Sequence, residues 1–193
     1  GLAARRRATW EDMLAAEADG DPCEIVNGEL VRKAAGDDRH GAAHFEVAAA
    51  LGAPFNRRSG GPRPGGWWLR NEVDILFDVD NILRPDVSGW RRDRVPAMPD
   101  EFPTRIAPDW VCEILSPSTA RRDLGPKMDT YHRHEVGHYW VIDRAHQLLV
   151  VFRRGPEAYE RILAAGPEET VRADPFGAVE LFVGRFFGLE PEE

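Results

Sequence analysis

Two strongly β-prone runs, "DWVCEILS" at 109–116 and "HYWVIDRAHQLLVVFRR" at 138–154, are separated by the helical stretch "STARRDLGPKMDTYHRHE". No other feature narrows the fold so far. Parallel neighbours can be joined only by a crossover of a dozen or more residues, and a helix is the usual one. The unit from Val111 to Asp143 is therefore predicted as a right-handed crossover onto a parallel strand. The first run is apolar on successive residues, as a buried strand is. The second turns back on itself as a hairpin. The connecting helix is expected from about Thr119, with Pro126 tolerated only near its first turn.

The rest of the chain supplies elements for the same sheet. Thr9 with Asp12 three positions on reads as a capping box, opening a helix over roughly 9–18 that Gly20 stops. In "CEIVNGELVRK", Asn27-Gly28 sits between two alternating arms, a strong hairpin signal. "HGAAHFEVAAALGAPF" has helical spacing near 40–51, and a Gly/Pro/Arg loop follows. "WWLRNEVDILFDVD" and "ILRPDVSGW" are strand-like runs joined at Asp80-Asn81. A Pro-rich excursion covers about 91–108, and short strands or a terminal turn end the chain. The sum is a mixed α/β fold, one central sheet flanked by helices, read as a single domain over 1–193.

Composition restricts function more than fold. The net charge is −8, from 33 acidic and 25 basic residues, which counts against a bulk electrostatic grip on nucleic acid. It leaves room for a local basic face, because arginine is clustered: Arg57, Arg58 and Arg63; Arg91, Arg92 and Arg94; Arg121 and Arg122; Arg153 and Arg154. Cys23 and Cys112 lie in apolar runs and are expected as buried thiols of a reducing cytoplasm. No segment approaches the roughly 18 apolar residues of a membrane span, and no signal-peptide pattern opens the chain. A cytoplasmic protein without membrane partners is expected.

"HEVGH" at 134–138 spells H-E-x-x-H, the zinc-peptidase signature. That chemistry needs both imidazoles on one face of a sustained helix. Here Gly137 weakens the helix, and "HYWVID" begins a strand at once. No third ligand follows on a later helix. The motif is read as a helix-to-strand junction.

Three other groups are better placed for chemistry. Asp86 follows Pro85 inside a strand pattern, and Glu113 interrupts an apolar strand. Lys127 lies on the next helix. A carboxylate in a buried strand is costly unless paired or bound to a metal. Two such strands side by side would form an oxygen-rich site for a hard cation such as Mg²⁺ or Mn²⁺. The cation would activate water toward a phosphodiester, and the lysine would orient that water or neutralise charge.

These residues fall in segments that resemble a known family. "CEIVNGELV", "RHGAAHFEVAAAL", "NILRPDVSGW" and the long block "PDWVCEILSPSTARRDLGPKMDTYHRHEVGHYWVID" are similar to the Uma-type restriction endonucleases, a large bacterial group of the PD-(D/E)xK nuclease superfamily. The resemblance implies a restriction-endonuclease-like core with a mixed sheet of four or five strands between helices. It implies a Mg²⁺- or Mn²⁺-dependent DNA endonuclease, with Asp86 and Glu113 as metal ligands and Lys127 as the catalytic lysine. Leu115 stands where the motif has its usual lysine, so Lys127 matches the lysine moved to the helix. Asp123 shares a helical face with Lys127 and could orient it. Glu29, Glu46 and His40 lie in family-like segments, and Glu29 or Glu46 could support the metal. Pro108-Asp109 is a decoy. At the junction, Glu135 stands where the family has glycine and His138 where it has glutamate. The arginines near 57–63 and 91–94 are expected beside the site, holding the DNA backbone, and double-strand cleavage would suit a homodimer. The competing expectation is a non-catalytic nuclease fold that binds DNA or protein.

Overall fold

A computed structural model describes residues 6–20, 22–33 and 38–191. Helix α1 (Trp10–Ala18) opens on the predicted capping box: Asp12 N donates to the Thr9 hydroxyl, and Thr9 N donates to the Asp12 carboxylate. Strands β1 (Cys23–Val26) and β2 (Glu29–Arg32) form the hairpin. Asn27 and Gly28 turn it with φ of 51° and 77°, the paired left-handed conformations that make Asn-Gly the preferred two-residue turn. Helix α2 (Asp38–Phe55) is longer than the spacing predicted and buries Ala43, Val47, Leu51 and Phe55, one stripe at i, i+4.

Four strands follow: β3 (Trp67–Asn71), β4 (Ile75–Asp78), β5 (Asn81–Leu83) and β6 (Val87–Arg91). Then come β7 (Trp110–Leu115), the helical crossover, and β8 (His138–Asp143), β9 (Leu148–Arg154) and β10 (Tyr159–Ala165). A two-stranded ribbon, β11 (Thr170–Val171) with β12 (Leu181–Phe182), and a short 3-10 turn at Val183–Phe187 end the described chain.

The central sheet has six strands in the order β10-β9-β8-β7-β6-β3. Its one parallel pair is β7 with β8, in register from Trp110 opposite His138 to Leu115 opposite Asp143. The predicted parallel pairing across the helical crossover therefore holds. The sheet is larger than the four or five strands the resemblance implied. The N-terminal hairpin and the β4–β5 pair do not join it; they form a second, antiparallel sheet in the order β2-β1-β5-β4.

Alternation along β7 decides what each side chain meets. Trp110, Cys112 and Ile114 face α2 and the C-terminal turn, in a core with Trp140 and Phe176. Val111 and Leu115 face the other way, in a core with Tyr131, Val136 and Tyr139. Glu113 lies between them on that second face, so its carboxylate is forced into an apolar layer. Gly89 on β6 has no room for a side chain: a Cβ would come within 3.0 Å of Leu69 and 3.1 Å of Trp110.

The crossover helix is broken, which the sequence reading did not anticipate. Helix α3 (Ala120–Arg122) runs into a wide π turn at Asp123–Lys127, and α4 (Met128–Arg133) follows. Gly125 leaves helical geometry (φ −123°, ψ −108°) directly before Pro126. Proline disfavours α geometry in its predecessor and cannot donate a helix bond, so the break belongs there. The wide turn still carries Asp123 and Lys127 on its buried side. Both cysteines are buried and free. Among the described residues, no helix is long and apolar enough to cross a membrane.

Candidate active site

β6 and β7 pair as far as Val87 opposite Cys112. One residue earlier, the Asp86 side chain takes over the ladder: its Oδ2 accepts the Ile114 amide at 2.7 Å. Its other oxygen accepts from Lys33 Nζ at 2.9 Å and lies 3.4 Å from His40 Nε2. The carboxylate is thus anchored between strands and is 2% exposed. Burial alone would lift its pKa, but the hydrogen bond from His40 and the charge of Lys33 outweigh burial. They hold it well below the usual carboxylate range.

Beside it, Glu113 Oε1 lies 2.6 Å from Lys127 Nζ and accepts the Tyr131 hydroxyl at 2.6 Å. Lys127 Nζ also donates to Glu24 Oε1 at 2.9 Å and lies 3.4 Å from Asp123 Oδ1. Glu24 in turn accepts the Arg84 amide at 2.7 Å. All these side chains are buried. Burial pushes the Glu113 carboxyl up to about 8; Lys127 opposes the rise, and the carboxylates of Asp123, Asp86 and Glu24 add to it. Burial would lower Lys127, yet Glu113, Glu24 and Asp123 surround it and raise it well above its ordinary value. Tyr131, buried against the same carboxylates, is raised likewise and stays a donor.

Asp86, Glu113, Lys127, His40 and Asp123 from the sequence reading therefore meet in one cluster. Glu29 and Glu46 lie outside it. Glu29 is exposed on β2, and Glu46 pairs with Arg185 at 2.9 Å. Arg91 and Arg94 do not flank the cluster. Arg91 pairs with Asp93 and Arg94 with Asp109, at the opposite end of β6 and β7. Asp109, the decoy, sits just before β7 rather than on it and serves as their acceptor. The sequence reading missed Glu24, Lys33 and Tyr131. Glu24 did carry a signal, since "CEIV" repeats the buried-strand carboxylate pattern of "CEIL". Lys33 follows an edge strand and carried none.

"HEVGH" is a junction, with one correction to where the helix stops. The helix ends at Arg133, His134 caps it, and Glu135 turns the chain with φ 61°. His134 Nε2 lies 2.9 Å from Asp78 Oδ2, while His138 opens β8 opposite Trp110. The two histidines sit on different elements.

Four buried carboxylates, Glu24, Asp86, Glu113 and Asp123, face two ammonium groups, Lys33 and Lys127. Burial meets part of that imbalance by raising the carboxyls of Glu113 and Asp123, and a bound cation would displace protons held there. The donors are all hard oxygens, which suit Mg²⁺ or Mn²⁺ better than a soft-ligand metal. Among the described residues, no three His, Cys, Asp or Glu side chains form a ready metal cage, since Lys127 occupies the middle of three of the carboxylates. Mg²⁺ is usually held by one or two carboxylates, with water and substrate phosphate completing the shell.

The fold and the sequence agree with known proteins. A crystal structure from Anabaena variabilis, described as a putative nuclease belonging to DUF820, superposes with a TM-score of 0.73 at 21% identity. The match covers 94% of this chain and 98% of that one. No curated protein matches the chain. The family model Uma2, described as "Putative restriction endonuclease", matches residues 10–183. The chain belongs to that family.

Proposed function

We propose that this protein is a Mg²⁺- or Mn²⁺-dependent endonuclease that hydrolyses phosphodiester bonds in DNA. The observation that carries the reading is the cluster itself. Glu113 on β7 and Asp86, directly before the adjacent β6, are each 2% exposed, with Lys127 2.6 Å from Glu113 and the carboxyls of Glu24 and Asp123 around that ammonium. Asp86 and Glu113 would hold the cation, which when bound supplies Lewis-acid charge for the phosphate and lowers the pKa of water.

The remaining roles follow from the chain's own groups. Asp86 stays ionised because Lys33 and His40 hold it there, and the Ile114 amide fixes its direction. Lys127 stays protonated among three carboxylates, so it serves as a charged donor that orients water or the phosphate, not as a general base. Tyr131 and Glu24 fix Glu113 and Lys127 in place. Double-strand cleavage would take two such sites and hence two copies.

Supercoiled plasmid tests the reading. The expected result is nicking or linearisation with Mg²⁺ or Mn²⁺, none in EDTA, and none for Asp86→Ala or Glu113→Ala. Failure of the purified chain to cut any nucleic acid, with the same thermal midpoint with and without divalent cation, would end it. One observation favours a second reading, a non-catalytic nuclease fold that binds DNA or protein. Glu113, Glu24 and Lys127 already satisfy one another at 2.6 and 2.9 Å. On that reading the cluster is structural, and DNA binds without being cut.

A further inference from the structure

We infer that the outer edge of the central sheet, at Arg58, Arg70 and Arg92, is a docking track for the phosphodiester backbone of a nucleic acid. The inference rests on the nuclease reading for the identity of the polyanion; the geometry stands by itself.

β3 is the edge strand of the sheet, paired only with β6. Trp68 and Arg70 point to the same face, two residues apart, about 7 Å along the strand. The Arg92 guanidinium lies 3.4 Å above the centroid of Trp68, and Arg70 lies 5.5 Å from it. Arg92 Nε donates to Trp67 O at 2.8 Å, and the Trp68 indole is itself tied to Val95 O at 2.9 Å. This fixes the guanidinium plane rather than leaving it on a free stem.

Arg58 is brought in by the Gly/Pro/Arg loop. Arg92 N donates to Gly66 O, and Gly66 N to Arg57 O, so the loop folds back over the strand. Gly65 and Gly66 make that possible. Both have positive φ, and a Cβ on Gly65 would lie 2.4 Å from Arg58 O. Burial and the like charges of Arg58 and Arg70 lower the pKa of Arg92.

What marks the three is that they lie together on one edge; several other arginines of the chain are matched by acids. Arg91, Arg94, Arg105 and Arg172 each lie within 4.0 Å of a carboxylate. Among the described residues, no ion pair joins Arg58, Arg70 or Arg92 to one, although the chain carries net charge −8. Three mutually repelling cations held together without counter-charge suit a polyanion. The track also leads to the cluster: Arg70 lies opposite Ser88, two residues from Asp86, and Glu72 N donates to Asp86 O.

The test is fluorescence anisotropy of the full chain with a labelled DNA duplex in EDTA, at about 50 to 200 mM salt. The triple variant Arg58→Ala, Arg70→Ala, Arg92→Ala is expected to bind at least about tenfold more weakly. Its slope of log K against log salt should fall by about 2 to 3, one step per lost phosphate contact. A charge-matched triple, Arg91→Ala, Arg105→Ala, Arg172→Ala, should bind as the parent does. Arg58→Ala alone, on an exposed loop, should lower the slope by about one and covers the case in which the triple does not fold. Equal weakening in the two triples, an unchanged slope in Arg58→Ala, or no DNA binding by the parent at low salt would overturn the track. A parent that cuts plasmid while both triples bind alike sinks the track and leaves the nuclease. A parent that binds through the track and never cuts leaves the track and sinks the nuclease.

Discussion

Lys127 Nζ and Glu113 Oε1 are 2.6 Å apart, with side chains 1% and 2% exposed, and the same ammonium reaches Glu24 and Asp123. One cation therefore serves three buried carboxyl groups. A pair of this kind contributes little to stability as a whole, because desolvation offsets its Coulombic gain, but its members cannot be removed singly. Lys127→Met is expected to lower the unfolding free energy by about 3–5 kcal/mol. Above about pH 8, where Glu113 is ionised, adding Glu113→Gln should restore part of the loss, since it removes one of the stranded charges. Urea titrations of the single and double variants measure this; equal stability of the two would mean that Glu113 does not depend on Lys127.

The titration of Glu113 gives a signed prediction. Its carboxyl is raised to about 8 in the fold, from an ordinary value of 4.5. A raised acid favours the protonated state, so its contribution is whole below about pH 4.5 and is lost as pH rises toward 8. In EDTA, stability should fall across that window, and Glu113→Gln should flatten the fall by up to one proton, about 1.4 kcal/mol per pH unit. Asp86 acts in the opposite sense. Its pKa is lowered, so its contribution is present above the ordinary aspartate range and is lost only in acid. Urea midpoints between about pH 5 and 9 decide it; parallel curves for the parent and Glu113→Gln would show that Glu113 is ionised throughout.

The sequence made the frame legible because periodicity and turn chemistry are local. Asn27-Gly28, the Thr9 cap and the β7–β8 crossover could each be read from a few adjacent residues. Asp86 and Glu113 were legible for a related reason, since a charge in an apolar strand must be satisfied somewhere. What satisfied them was not legible. Glu24 reaches Lys127 from the other sheet, 103 residues away, and Lys33 reaches Asp86 across 53. No local pattern encodes such distances. The break at Gly125-Pro126 is not fixed by the residues alone, because a helix starting at Thr119 can also take Pro126 near its first turn. That Arg91 and Arg94 lie away from the cluster is not legible in the sequence, because charge clustering along the chain does not say which end of a strand faces the site.

Tyr131→Phe separates positioning from chemistry. The hydroxyl donates to Glu113 at 2.6 Å and is fully buried, so its loss should cost about 2 kcal/mol of stability. Glu113 keeps Lys127, so plasmid cleavage should fall by no more than about tenfold, or 1.4 kcal/mol in barrier. Lys127→Met should instead abolish cleavage. A Tyr131→Phe enzyme as inactive as Lys127→Met, with its fold intact, would move Tyr131 into the chemistry itself.

Glu135 stands where the family resemblance implies a glycine, and the backbone at that position favours one. Val136 N donates to Tyr131 O at 3.0 Å and Glu135 N to His132 O at 3.2 Å, the paired bonds of a Schellman turn. Val136 and Tyr131 share a buried apolar cluster, as the two ends of that turn usually do. Such a turn needs a left-handed residue at its hinge, and Glu135 supplies it with φ 61°. An L side chain there costs about 1 kcal/mol that glycine avoids. The Glu135 carboxylate is exposed and its nearest cation, Arg154, lies at 3.9 Å, so little is lost with it. Glu135→Gly is therefore expected to raise stability by about 1 kcal/mol and leave plasmid cleavage unchanged, since the exposed side chain lies outside the buried cluster. Thermal and urea midpoints read the first and a cleavage assay the second. A destabilised Glu135→Gly would mean that the helix end is held by that carboxylate and not by its turn.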